Sequence, residues 1–211
     1  MFLSATSCLT RLSPTVFLVH WPVHLNPNGN HPNIPTLPNG HRDVLRDWPL
    51  RETWRQMEAV LKKGKVRAIG VSNCSERTLA EEILPYAEIK PAVDQVELHV
   101  YNPQHKFIAY LHSQGIVPQA YSPLGSTGSP LLKDEVAVEI AARHGLAPAD
   151  VLLGWHVAKG AVVLPKSVTP ARIKANIEGA LAAAEKLTPE DIAQLDGVAA
   201  AGKQVRCVSS V

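Results

Sequence analysis

Apolar and β-branched residues recur along this chain in short, nearly unbroken runs rather than in strict alternation. Runs of this kind predict strands that are buried on both faces. Longer segments with apolar residues at helical spacing separate the runs from one another. The predicted strands cover residues 15–20, 66–72, 92–98, 116–121 and 161–164. This alternation of strand and helix predicts an α/β fold in which helices cover a parallel sheet.

Residues that begin and end helices accompany the helical segments. The first predicted helix begins at Pro49 and ends at Gly64. The last predicted helix begins at Thr188, and Asp191 three residues later resembles the second half of a capping box. The helices between them begin near residues 73–75, 102, 135, 148 and 169. Residues 21–47 are rich in Pro, Asn, Gly and His, lack periodicity and are predicted to form a loop.

The fifth predicted strand runs directly into a helix whose first turn carries hydroxyls and cations. Thr169 has the side chain of a helix N-cap, and Pro170 fits the first helical position. The N–H groups of that turn, the helix dipole, Lys166 and Arg172 would then face the same anion. The segment therefore predicts a phosphate site. The plainer alternative is an ordinary capped helix with solvated cations.

Polar residues stand at the C-terminal end of every predicted strand, where parallel α/β folds bind their ligands. They are His20, then Ser72 and Asn73, then Gln95 and Glu97, then Tyr121 and Ser122, then Lys166 and Ser167. Each has a structural alternative, such as a helix cap, a residue in the layers of a barrel or a hydrogen-bonded core histidine. Five consecutive strand ends of the same character nevertheless predict one shared site. Either an open doubly wound sheet or part of a barrel accommodates these strands.

Composition narrows the function classes. The 211 residues are 45% hydrophobic and 19% charged, with a net charge of +2, which indicates one ordinary globular domain. No basic stripe predicts nucleic-acid binding, and no apolar run approaches a membrane span. Cys8, Cys74 and Cys207 follow no zinc or C-x-x-C spacing, so we expect a reduced, cytoplasmic protein without a metal. The Ser- and Thr-rich start only faintly resembles a transit peptide.

Five motifs, in this order and with similar gaps, carry a resemblance to a known family. They are Leu18-Val19-His20-Trp21-Pro22, Gly70-Val71-Ser72-Asn73, Gln95-Val96-Glu97-Leu98-His99, Ala120-Tyr121-Ser122-Pro123-Leu124-Gly125-Ser126, and Leu164-Pro165-Lys166-Ser167 to Asn176. The chain resembles the aldo-keto reductases over about residues 16–206, most of all the fungal members that act on glycerol-type and xylose-type carbonyls. The resemblance implies a (β/α)8 TIM barrel, here incomplete, with about five parallel strands and flanking helices. It also implies a single domain over residues 1–211, of which residues 1–14 match poorly.

The resemblance further implies an NADP(H) cofactor and hydride transfer to a small aldehyde or ketone. His20 matches the histidine that orients the substrate carbonyl, and Tyr121 matches the ring that stacks on the nicotinamide. The groups that hold the carboxamide match Ser72, Asn73 and Gln95. The loop along the pyrophosphate matches Ser122, Leu124 and Ser126. The pocket for adenosine and its 2′-phosphate matches Lys166, Ser167, Val168, Thr169, Arg172 and Asn176.

Departures from the family pattern qualify this expectation. The family's catalytic tetrad is Asp, Tyr, Lys and His, and its first three members lie upstream of the strand that carries His20. No Asp, Tyr or Lys precedes that strand here, so we expect weak turnover or none. Missing strands would also expose two sheet edges and favour self-association. Asp94 stands where Asn is usual. The alternatives are a non-catalytic, NADP-binding or oligomer-forming remnant and, less favoured, a Schiff-base lyase that uses Lys166.

Overall fold

A parallel sheet of five strands forms the centre of the fold in the computed structural model, which describes residues 15–126 and 128–207. The strands lie side by side in chain order. They are β1 (Val16–Val19), β2 (Ala68–Ser72), β3 (Val93–Glu97), β4 (Val117–Tyr121) and β5 (Val162–Leu164). All five predicted strands are therefore confirmed, each shortened by one or two residues at one or both ends. The segment 1–14, predicted to match the family poorly, lies outside the described residues.

The chain divides into two compact units, and the division lies within β3. The first unit ends at Asp94 and the second begins at Gln95. In the first unit, β1 pairs with β2 in parallel. Helix α1 (Leu50–Lys62) packs by its buried Trp54, whose Nε1 donates to the carbonyl oxygen of Ile89 at 3.0 Å. The short helix α2 (Glu76–Thr78) continues into a π-helical turn over Leu79–Ile83. Trp54 thus holds α1 against the interior of this unit, and Leu79 and Ile83 bury the π-helical turn.

The predicted loop of the first unit contains more pairing than its sequence suggested. Isolated antiparallel bridges join Leu25 to Val44 and Thr36 to Arg42. The side chain of Asn26 also donates to the carboxylate of Asp43 at 2.9 Å. Residues 21–47 still form neither a helix nor a longer strand within the described part of the chain. The loop prediction is confirmed, with local cross-links that have no periodic signature.

The second unit pairs β4 with β5 in parallel, and five helices accompany these strands. They are α3 (His105–Gln114), α4 (Glu135–His144), α5 (Pro148–Ala158), α6 (Pro170–Lys186) and α7 (Pro189–Gly197). A 3₁₀ turn at Leu131–Lys133 and a π-helical turn at Ala199–Lys203 complete the helical segments among the described residues. Leu152, Trp155 and Leu195 are fully buried in this unit's core. Among the described residues, no helix combines the length and the apolar character needed to cross a membrane.

Close packing of α5 against α6 explains a glycine within a buried helix. A Cβ atom on Gly154 would lie 2.5 Å from the Cβ of Ala183, a distance that real side chains do not adopt. Ala183 is itself fully buried. The two helices can therefore approach this closely only because both positions are small.

Helix ends show where the sequence predicted the caps correctly. Thr188 Oγ1 accepts the Asp191 N–H at 3.2 Å, and Asp191 Oδ2 accepts the Thr188 N–H at 3.0 Å, which confirms the capping box. Thr169 does occupy the N-cap position of α6, but its side chain accepts no capping hydrogen bond from the described residues. Its N–H instead donates to Ser167 Oγ at 3.1 Å. The predicted side-chain cap at Thr169 is therefore wrong, because the preceding serine organises this turn.

Candidate active site

The ends of β1 and β2 bring three of the predicted residues together within the first unit. His20 follows β1, is exposed and stacks on Trp21 with ring centroids 5.7 Å apart. Ser72 ends β2 and is buried. Asn73 joins the two strand ends, because its Nδ2 donates to the His20 carbonyl oxygen at 3.0 Å and to Ser72 Oγ at 3.1 Å. The structure thus places His20, Ser72 and Asn73 side by side.

The backbone of Asn73 gives this arrangement its shape. Its φ of 58° lies in the left-handed region, which asparagine tolerates better than most residues. The chain therefore turns sharply after β2, and Ser75 then caps α2 by accepting the Thr78 N–H at 3.1 Å. The helix was predicted to begin near residues 73–75, and Ser75 is its cap. Asn73 is left to tie β2 to the end of β1.

A buried carboxyl group lies close to this turn in the first unit. Asp94 is fully buried, and burial raises its pKa to about 7, an effect that the Cys74 N–H partly opposes. Burial also raises the pKa of the Cys74 thiol, with a further contribution from the charge of Asp94. The sequence analysis noted Asp94 only as a departure from the family's asparagine. Its full burial was not predicted, since a charged residue in a strand is usually exposed.

The loop after β4 faces the loop after β5 across a cleft of about 290 Å³ in the second unit. Eight residues line the cleft, and four of them are predicted cofactor residues. Those four are Ser122, Leu124, Ser126 and Lys166. The cleft therefore offers two hydroxyls and one ammonium group beside a backbone loop. Such donors suit an anionic ligand.

The loop after β4 depends on two residues with positive φ. Ser122 has a φ of 49°, and the Gly125 N–H closes a turn by donating to the Ser122 carbonyl oxygen at 2.8 Å. Gly125 has a φ of 76°, and a Cβ on it would lie 2.1 Å from Ser129 Oγ. Only glycine meets both requirements, so this residue fixes the path of the loop along the cleft.

Gln95 and Tyr121 lie on neighbouring strands of the second unit. Gln95 Nε2 donates to Gln119 Oε1 at 2.6 Å, and both side chains are partly buried. Burial, and then the charge of Glu97, raise the pKa of Tyr121, so its phenol stays neutral and presents an aromatic face. Gln119 was not among the predicted site residues. Its signal was the two-residue repeat of β4, which places Gln119 and Tyr121 on the same face.

The remaining predicted residues surround the start of α6, beyond the residues that line the cleft. Ser167 Oγ is engaged by the Thr169 N–H, and Val168 is 79% exposed. Arg172 is exposed and Asn176 is partly buried, four residues apart on one face of α6. The structure thus brings Lys166 into the cleft but leaves Ser167, Val168, Thr169, Arg172 and Asn176 along the adjoining helix start.

This sequence and fold match one family. The family model of the Aldo/keto reductase family matches residues 13–200. The chain belongs to the aldo/keto reductase family. D-galacturonate reductase of Hypocrea jecorina is 54% identical over 163 residues, which are 77% of this chain and 52% of that protein. Glycerol 2-dehydrogenase (NADP(+)) of Saccharomyces cerevisiae is 44% identical over 167 residues, which are 76% of this chain and 54% of that protein.

Solved structures agree on the fold of this aldo/keto reductase chain. Aldose reductase from Giardia lamblia superposes with a TM-score of 0.82 and 33% sequence identity, covering 93% of this chain and 65% of that chain. Aldose reductase from Schistosoma japonicum superposes with a TM-score of 0.78 and 36% identity, over 88% of this chain and 58% of that chain. The chain therefore spans about half the length of the curated relatives that it matches. The predicted membership of the barrel family is confirmed, with five of its strands present among the described residues.

Proposed function

We propose that this aldo/keto reductase chain binds NADP(H) and serves the reduction of a small aldehyde or ketone to an alcohol. The cleft of the second unit carries the proposal, because it gathers Ser122, Leu124, Ser126 and Lys166 around a space fit for phosphate groups. The hydroxyls, the loop N–H groups and the ammonium group match a pyrophosphate in charge and hydrogen bonding. The yeast relative's name includes NADP(+), which supports this cofactor.

The residues of the second unit have distinct roles in this proposal. Lys166 and the loop of residues 122–126 hold the pyrophosphate, while the exposed guanidinium group of Arg172 meets the 2′-phosphate. The neutral ring of Tyr121 supplies a flat surface for the nicotinamide, and Gln95 offers its amide to the carboxamide. When bound, the nicotinamide supplies the hydride. The protein groups orient it and exclude water.

The residues of the first unit act on the reacting groups. Ser72 and Asn73 provide a hydroxyl and an amide for the nicotinamide carboxamide, and His20 orients the substrate carbonyl. Asn73 already holds the two strand ends together, so these polar groups are preorganised. The relatives named D-galacturonate reductase and glycerol 2-dehydrogenase favour a polyhydroxylated carbonyl substrate. The cytoplasmic location and the rate of turnover stay predictions.

A non-catalytic, self-associating chain is the second candidate, and the exposed apolar surface of the second unit favours it. Val162 and Leu164 of β5 are 43% and 40% exposed. Ile173, Ile177 and Leu181 recur every four residues on α6 and are exposed as well. Apolar surface of this kind favours association with a second copy. Such a chain would bind NADPH without catalysing reduction.

Quenching of tryptophan fluorescence by NADPH tests the cofactor site that both candidates share. We expect saturable quenching by NADPH and weaker binding in Lys166→Gln and Arg172→Gln. A lost charge-assisted hydrogen bond costs about 1.5–3 kcal/mol, or roughly 10- to 100-fold in Kd. Arg172→Gln should leave NADH binding nearly unchanged, because NADH lacks the 2′-phosphate. Lys174→Gln is the matched control, since Lys174 is an exposed cation of the same helix that pairs with Glu178.

Activity and size complete the test. Oxidation of NADPH above the no-enzyme rate, with glyceraldehyde or D-galacturonate as substrate, would support a reductase. Binding without oxidation, together with a mass above that of one chain in light scattering, would support the second candidate. If NADPH causes no quenching, or if Lys174→Gln weakens binding as much as Lys166→Gln, the proposed cofactor site is wrong.

A further inference from the structure

A carboxylate, an imidazole and a thiol converge beyond the end of β3 in the second unit. Glu97 ends the strand, His99 follows two residues later, and Cys207 lies 110 residues after Glu97. One ligand atom from each side chain lies within 4.8 Å of the ligand atoms of the other two. The cofactor proposal uses none of these three side chains. Their convergence therefore calls for an explanation of its own.

Direct contacts hold the three groups in place. Glu97 Oε1 lies 3.0 Å from His99 Nε2, and the Cys207 N–H donates to the same oxygen. Arg206 Nε approaches the other carboxylate oxygen at 3.5 Å. Upstream of these contacts, the Val205 N–H donates to a backbone carbonyl at 3.0 Å. The end of the described chain is thus tied to the end of β3, and Cys207 is delivered beside the Glu97–His99 pair.

Glu97 and His99 are enclosed by the protein, and one of their polar atoms has no hydrogen-bond partner among the described residues. The side chains of Glu97 and His99 are both fully buried. A histidine coordinates a cation through the lone pair of one ring nitrogen. Nδ1 of His99 is buried without a hydrogen-bond partner among the described residues. The imidazole of His99 is thus incompletely satisfied within the described part of the chain.

We propose that Glu97, His99 and Cys207 form a binding site for a divalent cation of the zinc type, with a fourth position left for water. Carboxylate oxygen, imidazole nitrogen and thiolate sulfur are the ligands that zinc takes from proteins. Metal–ligand distances of about 2.0–2.3 Å place tetrahedral ligands roughly 3.3–3.8 Å apart. From their 4.8 Å limit, the three ligand atoms need to close by about 1.5 Å at most. Cys207 is only partly buried and has room to make this movement.

Binding is a proton exchange without oxidation or reduction. The Cys207 thiol releases its proton to solvent, and the sulfur donates an electron pair to the cation. One ring nitrogen of His99 coordinates, and the ring proton resides on the other. Glu97 coordinates through one oxygen while Arg206 retains the other. Because the Arg206 cation repels a divalent ion, Arg206→Gln should bind the metal at least as tightly as the parent chain.

Zinc binding to the reduced, metal-stripped full chain tests the proposal, measured by competition with a chromogenic chelator. We expect one equivalent of Zn²⁺ to bind, and Co²⁺ to produce a thiolate-to-cobalt charge-transfer band. Cys207→Ser should remove the band and weaken zinc binding at least tenfold. Loss of a residue that only supports a metal ligand already weakens metal binding roughly 10- to 100-fold, and Cys207 is itself a ligand. His41→Ala is the matched control, because His41 is an exposed loop histidine.

Each other outcome overturns the proposal. A parent chain that binds less than one equivalent, a Cys207→Ser chain that binds as tightly, or a His41→Ala chain weakened to the same degree would each show adventitious binding. Circular dichroism verifies that the variants fold, and Glu97→Gln provides a second removal of a ligand in case Cys207→Ser alters the chain end. NADPH quenching is measured separately, so loss of cofactor binding leaves this result unaffected.

Discussion

Replacing Asp94 with asparagine should stabilise the protein, and only above mildly acidic pH. Asp94 is fully buried in the first unit, beside the buried thiol of Cys74. Its carboxyl group is neutral when protonated and costly when ionised, because the surroundings replace little of the hydration that the charge loses. Asparagine has almost the same shape and cannot ionise. The variant therefore isolates the cost of the charge from the cost of changed packing.

The size of this change in the free energy of unfolding follows from the pKa of Asp94, which burial raises from 3.8 to about 7. Each pKa unit corresponds to about 1.4 kcal/mol, so the ionised carboxylate destabilises the fold by up to about 4 kcal/mol. The folded pKa lies above the unfolded one. The contribution of Asp94 to stability is therefore most favourable below about pH 4, and it is lost as the pH rises through about 7. Since a domain is stable by only about 5–15 kcal/mol, the effect is readily measured.

Urea unfolding followed by circular dichroism, repeated from about pH 4 to about pH 8, gives the stability difference between Asp94→Asn and the parent chain. We expect a difference near zero at the acidic end that grows to its full value above about pH 7. Other groups that titrate in this window cancel in the difference. Asp47→Asn, at an exposed loop carboxylate, is the control and should show no such rise. A difference for Asp94→Asn that is constant with pH would refute the assignment of a buried, protonated carboxyl group.

Two further pairs of variants test the local structure by the same unfolding assay. Thr188→Ala removes a capping hydrogen bond and should cost about 1 kcal/mol, whereas Thr169→Ala should cost little; equal costs would contradict the assignment of the caps. Gly128→Ala should cost about 1–2 kcal/mol of stability from left-handed backbone strain alone, because an added Cβ there meets no neighbouring atom among the described residues. Gly125→Ala adds a collision with Ser129 and should cost roughly 1–3 kcal/mol more, with weaker NADPH quenching. Equal losses of stability in Gly125→Ala and Gly128→Ala would contradict the close approach of Ser129 to Gly125.

Periodicity and turn chemistry predicted most of the fold from the sequence. Helix α4 begins and ends at the predicted residues 135 and 144, because an Asp precedes it and a Gly follows it. Helix α3 begins at His105 instead of residue 102, since the Asn102 side chain is tied to the Glu97 carbonyl oxygen at 2.9 Å. That hydrogen bond fixes Asn102 outside the helix. Tertiary contacts of this kind cannot be predicted from the neighbouring residues in the sequence.

Ser122 and Lys166 were predictable because each follows a strand, whereas Leu124 and Ser126 were assigned by resemblance to the family. Ser122, Leu124 and Ser126 share one loop, and Lys166 follows the next strand, so topology alone brings them to one cleft. Arg172 was predicted as a cation at the helix start and Asn176 was assigned by resemblance; the structure leaves both along α6. Their proposed contact with a 2′-phosphate depends on where the ligand extends beyond the cleft. A sequence motif states the residue types of such a pocket, but it does not state how they are arranged.

Strand β3 shows why the cation site had no such motif. Its two-residue repeat places Gln95 and Glu97 on the same face, which predicts similar surroundings for both. Gln95 instead pairs with Gln119 from the neighbouring strand, while Glu97 is buried against His99 and meets Cys207 from the end of the chain. The difference arises from a segment 110 residues away, which reaches Glu97 only after the chain has folded. Cysteine spacing therefore gave no zinc pattern, although the folded chain brings oxygen, nitrogen and sulfur together.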